Sequence, residues 1–202
     1  MRLIYGISGM SSQSKGASPF TQLISDFRGK NLPSEQIEAD YNNTLNYPNN
    51  YFVAPERWRE CFYTTSKKNM LLLSEGLENI VRIKPPFNRY TMFSLFQIPS
   101  NFNTVKKQYL TIAPLTKKLH IIGETGLANG TTLSNTEIID SSGSGLEKNW
   151  LIIVLTQDEG CALVAEEFET GRYRGFFTTN MNLTNRCVAI LTDLLRIQKV
   201  DF

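Results

Sequence analysis

The sequence predicts an α+β fold, a mostly antiparallel sheet of four to five strands with helices packed on one face. Three observations carry that expectation. Five short β-prone runs follow one another in the second half of the chain, separated by Gly, Asn, Ser or Asp turns. Helical apolar stripes bracket them on both sides. With 202 residues, 41% of them hydrophobic, and 12 Phe, 8 Tyr and 2 Trp, the chain has the material for a packed interior.

The first 18 residues are rich in Gly and Ser and lack any period, so a loose or partner-dependent lead is expected. Ser18-Pro19 then signals a short helix, with Phe20, Leu23, Ile24 and Phe27 at helical spacing before Gly29 stops it. Residues 29–54 carry the Asn and Pro of loops, with room for a few helical turns over 34–41. On this reading residues 1–54 form an N-terminal arm and residues 55–202 the domain proper. Pro55 opens a long helix that places Trp58, Phe62, Met70, Leu73, Leu77, Ile80 and Val81 on one stripe. A break is expected at Thr64-Thr65-Ser66, where Thr65 or Ser66 can cap a second helix, and Pro85-Pro86 ends it. Residues 90–97 are aromatic-rich and of strand length, and Pro99-Ser100 starts a helix with Phe102, Val105, Tyr109 and Ile112 inward.

Strands follow at 118–123, 136–140, 149–156, 161–168 and 173–178, with Asp158-Glu159-Gly160 as a hairpin tip. A terminal helix over 181–200, reaching the end of the chain, aligns Leu183, Cys187, Val188, Leu191, Leu194 and Ile197. That stripe can continue into a coiled coil, which would make the protein a homodimer through helix 181–200.

Composition excludes more than it assigns. The longest apolar run, Trp150 to Leu155, is far short of the roughly 20 residues that span a bilayer, and the start of the chain lacks the apolar stretch of a secretory signal, so a cytoplasmic protein is expected. Cys61, Cys161 and Cys187 form no CxxC, and with one histidine they make no usual zinc set, so buried reduced thiols and no metal are expected. Residues 55–118 hold eleven Lys/Arg against four Glu, and residues 124–170 hold nine Asp/Glu against one Lys. Opposite charge divided in this way points to internal pairing and away from a nucleic-acid surface.

The search for a catalytic set is equally negative. His120 sits in a strand-like run with no nucleophile elbow elsewhere to serve. The glycines of 123–130 lack the lysine of a phosphate loop, and Gly143-Ser144-Gly145 precedes a strand where dinucleotide binding requires a helix. Arg174-Gly175-Phe176 opens like an RNA-binding strand, but Phe177 and Thr178 break the pattern. Glu166, Glu167 and Glu169 alternate across a strand, which divides them between its faces. The expectation is therefore no enzyme, no cofactor and no catalytic residue.

A set of spaced motifs covering about residues 58–197 resembles the DICT sensory domain. It comprises Leu73-Ser74-Glu75-Gly76-Leu77-Glu78 on a helix, Leu95-Phe96-Gln97 on a strand, Tyr109 on the next helix, His120-Ile121-Ile122-Gly123 on a strand, and Asn149-Trp150 opening another. The resemblance implies an α+β fold with a four-stranded sheet. It also implies a sensory role in diguanylate cyclases and two-component systems, common in cyanobacteria and with a link to light response, in which an output signalling domain or partner protein receives the signal. Ser74, Glu78, Phe96, Gln97, Tyr109 and Trp150 are the positions that it marks. Ser74 and Glu78 lie four apart on one helix face, suited to anchoring a loop or lining a pocket. Trp150 serves as a core post, the favoured role, or as the wall of an apolar site. The expected function is a non-catalytic regulatory module signalling through its terminal helix; the alternative is a protein-interaction scaffold without a small-molecule ligand.

Overall fold

The computed structural model describes residues 18–44, 51–84, 86–126 and 132–197. Its helices are α1 (Thr21–Asp26), α2 (Ser34–Thr44), α3 (Lys67–Ile83), α4 (Pro99–Ile112) and α5 (Met181–Leu195). Its strands are β1 (Lys30–Asn31), β2 (Cys61–Ser66), β3 (Thr91–Leu95), β4 (Lys118–Gly123), β5 (Thr136–Asp140), β6 (Asn149–Leu155), β7 (Gly160–Glu169) and β8 (Arg172–Thr178). They pair in the order β1-β2-β8-β7-β6-β3-β4-β5.

The α+β class stands, and the finer expectation is corrected in two ways. The run β2-β8-β7-β6-β3 is antiparallel throughout, but β1 joins one edge in parallel and β4 and β5 extend the other in parallel, giving eight strands among the described residues. The parallel pairing of β3 with β4 follows from α4, which carries the chain back across the sheet so that β4 runs in the same direction. Helices also cover both faces, not one. Ile152 and Val154 of β6 face a core shared with α2, α3 and α4, whereas Leu151, Ile153 and Leu155 face a second core shared with α1 and α5. An unbroken apolar run such as Trp150 to Leu155 is what a strand buried on both faces requires.

The segment before Pro55 belongs to the same body. Phe20, Leu23 and Ile24 are buried in the second core, β1 pairs with β2, and Ile37 of α2 is buried in the first core. The lead at residues 1–17 and the loop at 45–50 lie outside the described residues. A carboxylate ties α2 down: Asp40 accepts from Gln36 Nε2 at 2.5 Å, Arg57 Nε at 2.8 Å and Trp58 Nε1 at 2.7 Å. These donors hold its pKa below the ordinary value against the opposing effect of burial.

The helix expected from Pro55 is corrected. Only Glu56–Trp58 makes a 3-10 turn, and residues 61–66 form β2 with alternating burial. Six residues dominated by aromatic and β-branched side chains favour the extended form once β8 is there to pair with. Ser66 does cap the following helix, its hydroxyl accepting from Asn69 N at 3.4 Å.

The terminal helix is shorter than expected. It stops at Leu195, where Arg196 takes a left-handed conformation with φ of 53°; residues 198–202 lie outside the described residues. Cys187, Val188 and Leu191 of its stripe are buried in the second core, beside β6 and β7. Leu194 of the same stripe is exposed, so packing within the chain takes up only part of the face expected to continue into a dimer.

The divided charge meets inside the fold, as its arrangement implies. Lys84 and Arg89 pair with Glu159, and Lys118 pairs with Glu137 at 3.2 Å. Among the described residues no helix is long and apolar enough to cross a membrane.

Candidate functional site

A groove of about 310 Å³ lies between α3 and α4, with the sheet as its floor. One wall is a helical stripe of α3: Lys67, Leu71, Ser74, Glu75 and Glu78, at intervals of three and four residues. The facing wall is Asn101, Thr104, Val105 and Gln108 of α4, spaced in the same way. Ser94, Phe96, Trp150 and Ile152 complete the floor, all from alternate positions that point to this face of the sheet. The groove thus occupies the carboxyl end of β3, where the strand has a parallel neighbour on one side and an antiparallel one on the other. Open sheets with helices on their faces commonly bind ligands beyond the carboxyl ends of their strands.

Five of the six positions singled out in the sequence line this groove: Ser74, Glu78, Phe96, Gln97 and Trp150. The sixth, Tyr109, is buried directly behind it and bonded to two of its lining residues. Its hydroxyl is 2.6 Å from Glu78 Oε1 and 2.8 Å from Ser94 Oγ. With one proton to give, Tyr109 donates to the carboxylate and accepts from the serine. Gln108 Nε2 donates to the other carboxylate oxygen. Residues 73–78, 94–97, 109 and 149–150 are remote in sequence, and the fold brings them to one place.

Exposure is graded along the groove. Lys67, Leu71 and Thr104 at one end are exposed, whereas Glu78 and Ser94 at the other are buried. Burial raises the Glu78 carboxyl to about 7, with the Glu75 charge adding to the rise. The Tyr109 hydrogen bond and the Arg82 charge oppose it and are outweighed. Tyr109 is itself pushed well above the ordinary tyrosine value, by burial first and by Glu78 second.

Trp150 is both post and wall. Its ring meets Tyr173 edge to face at 5.6 Å, its indole N–H donates to Ser74 Oγ at 2.8 Å, and part of it stays accessible on the groove floor. Ser74 donates its own proton to Met70 O at 2.8 Å, so this helical serine is saturated as a donor. Gln97 is the strained member: it takes φ of 53°, a conformation that non-glycine residues rarely adopt. Bonds from its Nε2 to Asn149 O, from Asn101 Nδ2 to its Oε1 at 3.0 Å and from Glu124 N to its carbonyl at 2.9 Å hold it there.

Sequence reasoning missed Ser94, Gln108, Asn101 and the exposed end at Lys67 and Leu71, and it placed Val105 only as an inward residue of its helix. The polar residues of α4 at three- and four-residue spacing were the available signal, since a helix whose polar stripe faces its neighbours has something other than water to meet.

The other chemical suspects are buried or already paired. His120 is 3% exposed, stacked on Phe93 at 4.5 Å, with burial pulling its pKa down to about 4. Phe176 and Phe177, which would have to be exposed to stack bases, are buried on opposite faces of β8. Arg174 is bonded to Glu166, and Glu166 in turn accepts from Thr21 at 2.6 Å. Burial raises Cys161 and Cys187 to about 12. No protein-family model, no curated protein and no solved structure matches this chain.

Proposed function

We propose that the protein is a non-catalytic sensory module of the kind the DICT resemblance implies, and that the α3–α4 groove is where it receives its stimulus, as a small ligand. The observation that carries this reading is convergence. Positions chosen from sequence motifs spread over about 80 residues meet in one partly enclosed groove of about 310 Å³ with two aromatic side chains on its floor and a few fixed polar groups, the usual make-up of a ligand site.

A route outward is built into the sheet. Trp150 and Ile152 of β6 line the groove, while the intervening Leu151 and Ile153 pack in the layer of α1 and α5. A ligand that moves the first pair bears on the second through one strand, and α5 would hand the change to an output domain or partner protein. The non-catalytic part of the reading rests on chemistry: among the described residues the hydroxyl on the groove floor, Ser94, faces Tyr109, which burial keeps protonated at neutral pH and which therefore cannot serve as the base that would activate it.

The test is native mass spectrometry of the purified protein for copurifying compounds, joined to a thermal-shift screen of a metabolite library. Hits should vanish in Val105→Trp, which fills the groove, and should be recovered chemically unchanged after incubation. Failure to find any compound lost on filling the groove removes the ligand reading. Turnover of a hit removes the non-catalytic one.

A further inference from the structure

The deep end of the groove holds a feature that the sensory reading does not by itself explain. Glu78 is 4% exposed and accepts hydrogen bonds from Tyr109 and Gln108, both neutral donors. Among the described residues no lysine or arginine pairs with it. Arg82, one turn further along α3, is directed elsewhere, to Asn79 Oδ1 at 2.7 Å, Gln108 O at 3.2 Å and Thr111 Oγ1 at 3.0 Å. Buried carboxylates are normally paired with a cation, because removal from water is costly unless an opposite charge compensates it. Each Glu78 oxygen also keeps a lone pair after its one bond is counted. Phe96 and Trp150 supply aromatic surface on the floor of the same groove, the kind of surface that attracts cations.

We infer that the groove takes a small organic cation, a primary amine with a compact apolar body, whose ammonium docks on Glu78 while its body lies over Phe96 and Trp150. This rests on the groove being a ligand site at all. Three features narrow the class. An ammonium brings three donors, which the acceptor-only carboxylate and the Ser94 hydroxyl oxygen can receive. A carboxylate or phosphate ligand would place like charge against Glu78 and Glu75. The volume suits a ring or a short alkyl chain.

Proton release accompanies binding. The carboxyl is near 7 in the empty protein, and an adjacent ammonium favours its ionised form, so binding near pH 7 expels a fraction of a proton and affinity increases from pH 6 to pH 8. The charged and titratable groups near Glu78 are Glu75 and Arg82 on α3 and Tyr109 on α4, with Lys67 at the exposed end; the sheet contributes only Ser94 and Trp150.

The experiment is isothermal titration of the full chain with 2-phenylethylamine and hexylamine, against 2-phenylethanol and 3-phenylpropanoate as neutral and anionic counterparts. Each is measured at pH 6 and pH 8, with the Trp150 indole N–H resonance as the local probe, assigned by its loss in Trp150→Phe. The amines should bind, shift that resonance and bind more tightly at pH 8. In Glu78→Gln the amine affinity should fall about tenfold or more, as expected for loss of a charge-assisted bond, while any binding of 2-phenylethanol is kept. Melting curves verify that the variant is folded, and Glu169→Gln, which removes an exposed carboxylate outside the groove, should leave the amine affinity unchanged. If the alcohol or the acid binds at Trp150 and the amines do not, the cation assignment is wrong and the ligand site stands. If no probe moves Trp150, both fall.

Discussion

Replacing Glu78 by glutamine should change how stability depends on pH, with a size fixed by burial. Burial lifts its carboxyl from the ordinary 4.5 to about 7. Between those values the folded chain holds a proton that the unfolded chain has released, so the stabilising contribution is complete below 4.5 and is lost as pH rises through 7. At about 1.36 kcal/mol per pH unit, the full loss is about 3 kcal/mol. His120 runs the other way: burial takes it from 6.5 to about 4, so its contribution is present above 6.5 and is lost as pH falls through 4. The wild-type profile is therefore flattened from 4.5 to 6.5, and the difference between wild type and Glu78→Gln isolates the carboxyl. The amide introduced by the substitution can still accept from Tyr109, and Gln108 must turn its own amide to match, a cost that does not vary with pH. Urea unfolding at pH 5 and pH 8.5 is the assay. Relative to wild type, the variant should gain about 2 to 3 kcal/mol on going to the higher pH. Parallel profiles would show that Glu78 ionises normally and that the deep end of the groove is wet.

Other parts of the molecule give further checks. Gly175 lies between Tyr63 on β2 and Ala165 on β7, and a methyl group there would meet Ala165 Cα at 2.7 Å and overlap the Val164 carbonyl; Gly175→Ala should cost about 3 kcal/mol or more in urea unfolding. Asp40→Asn turns one acceptor toward the donors Gln36, Arg57 and Trp58 into a competing donor, and a loss of about 3 kcal/mol in the same assay is expected. All three cysteines are buried with pKa values raised by burial, so a thiol reagent at pH 8 should react slowly with the native protein and promptly with three groups in denaturant.

Much of the second half of the fold was legible because its strands are short, apolar and bounded by turn residues. Runs 118–123, 136–140, 149–156, 161–168 and 173–178 match β4 to β8 within a residue or so. The two-sided burial was also written in Trp150-Leu151-Ile152-Ile153-Val154-Leu155, which has no polar alternation, yet a one-sided sheet was expected. What stayed hidden depends on distant partners. Cys61–Ser66 reads as the continuation of a helix until β8 is present to pair with it. Lys30–Asn31, two residues long, is a strand only because β2 lies alongside. At the site, spacing brought out Ser74 and Glu78 as one face of a helix. That Tyr109 and Gln108 meet at Glu78, with Ser94 bonded to Tyr109, requires the α3–α4 packing, which no local pattern encodes.

The connection from β2 to β3 has a consequence for biosynthesis. These neighbours in sequence are not neighbours in the sheet: β8, β7 and β6 lie between them, and α3 bridges the gap. A nascent chain that has emerged only as far as residue 148 holds two fragments of sheet with an open slot, each presenting unpaired backbone edges until the last three strands arrive. Truncation before β6 should accordingly yield material that aggregates or recruits chaperones, and complementation by a separate 149–197 fragment would amount to delivering the missing wedge.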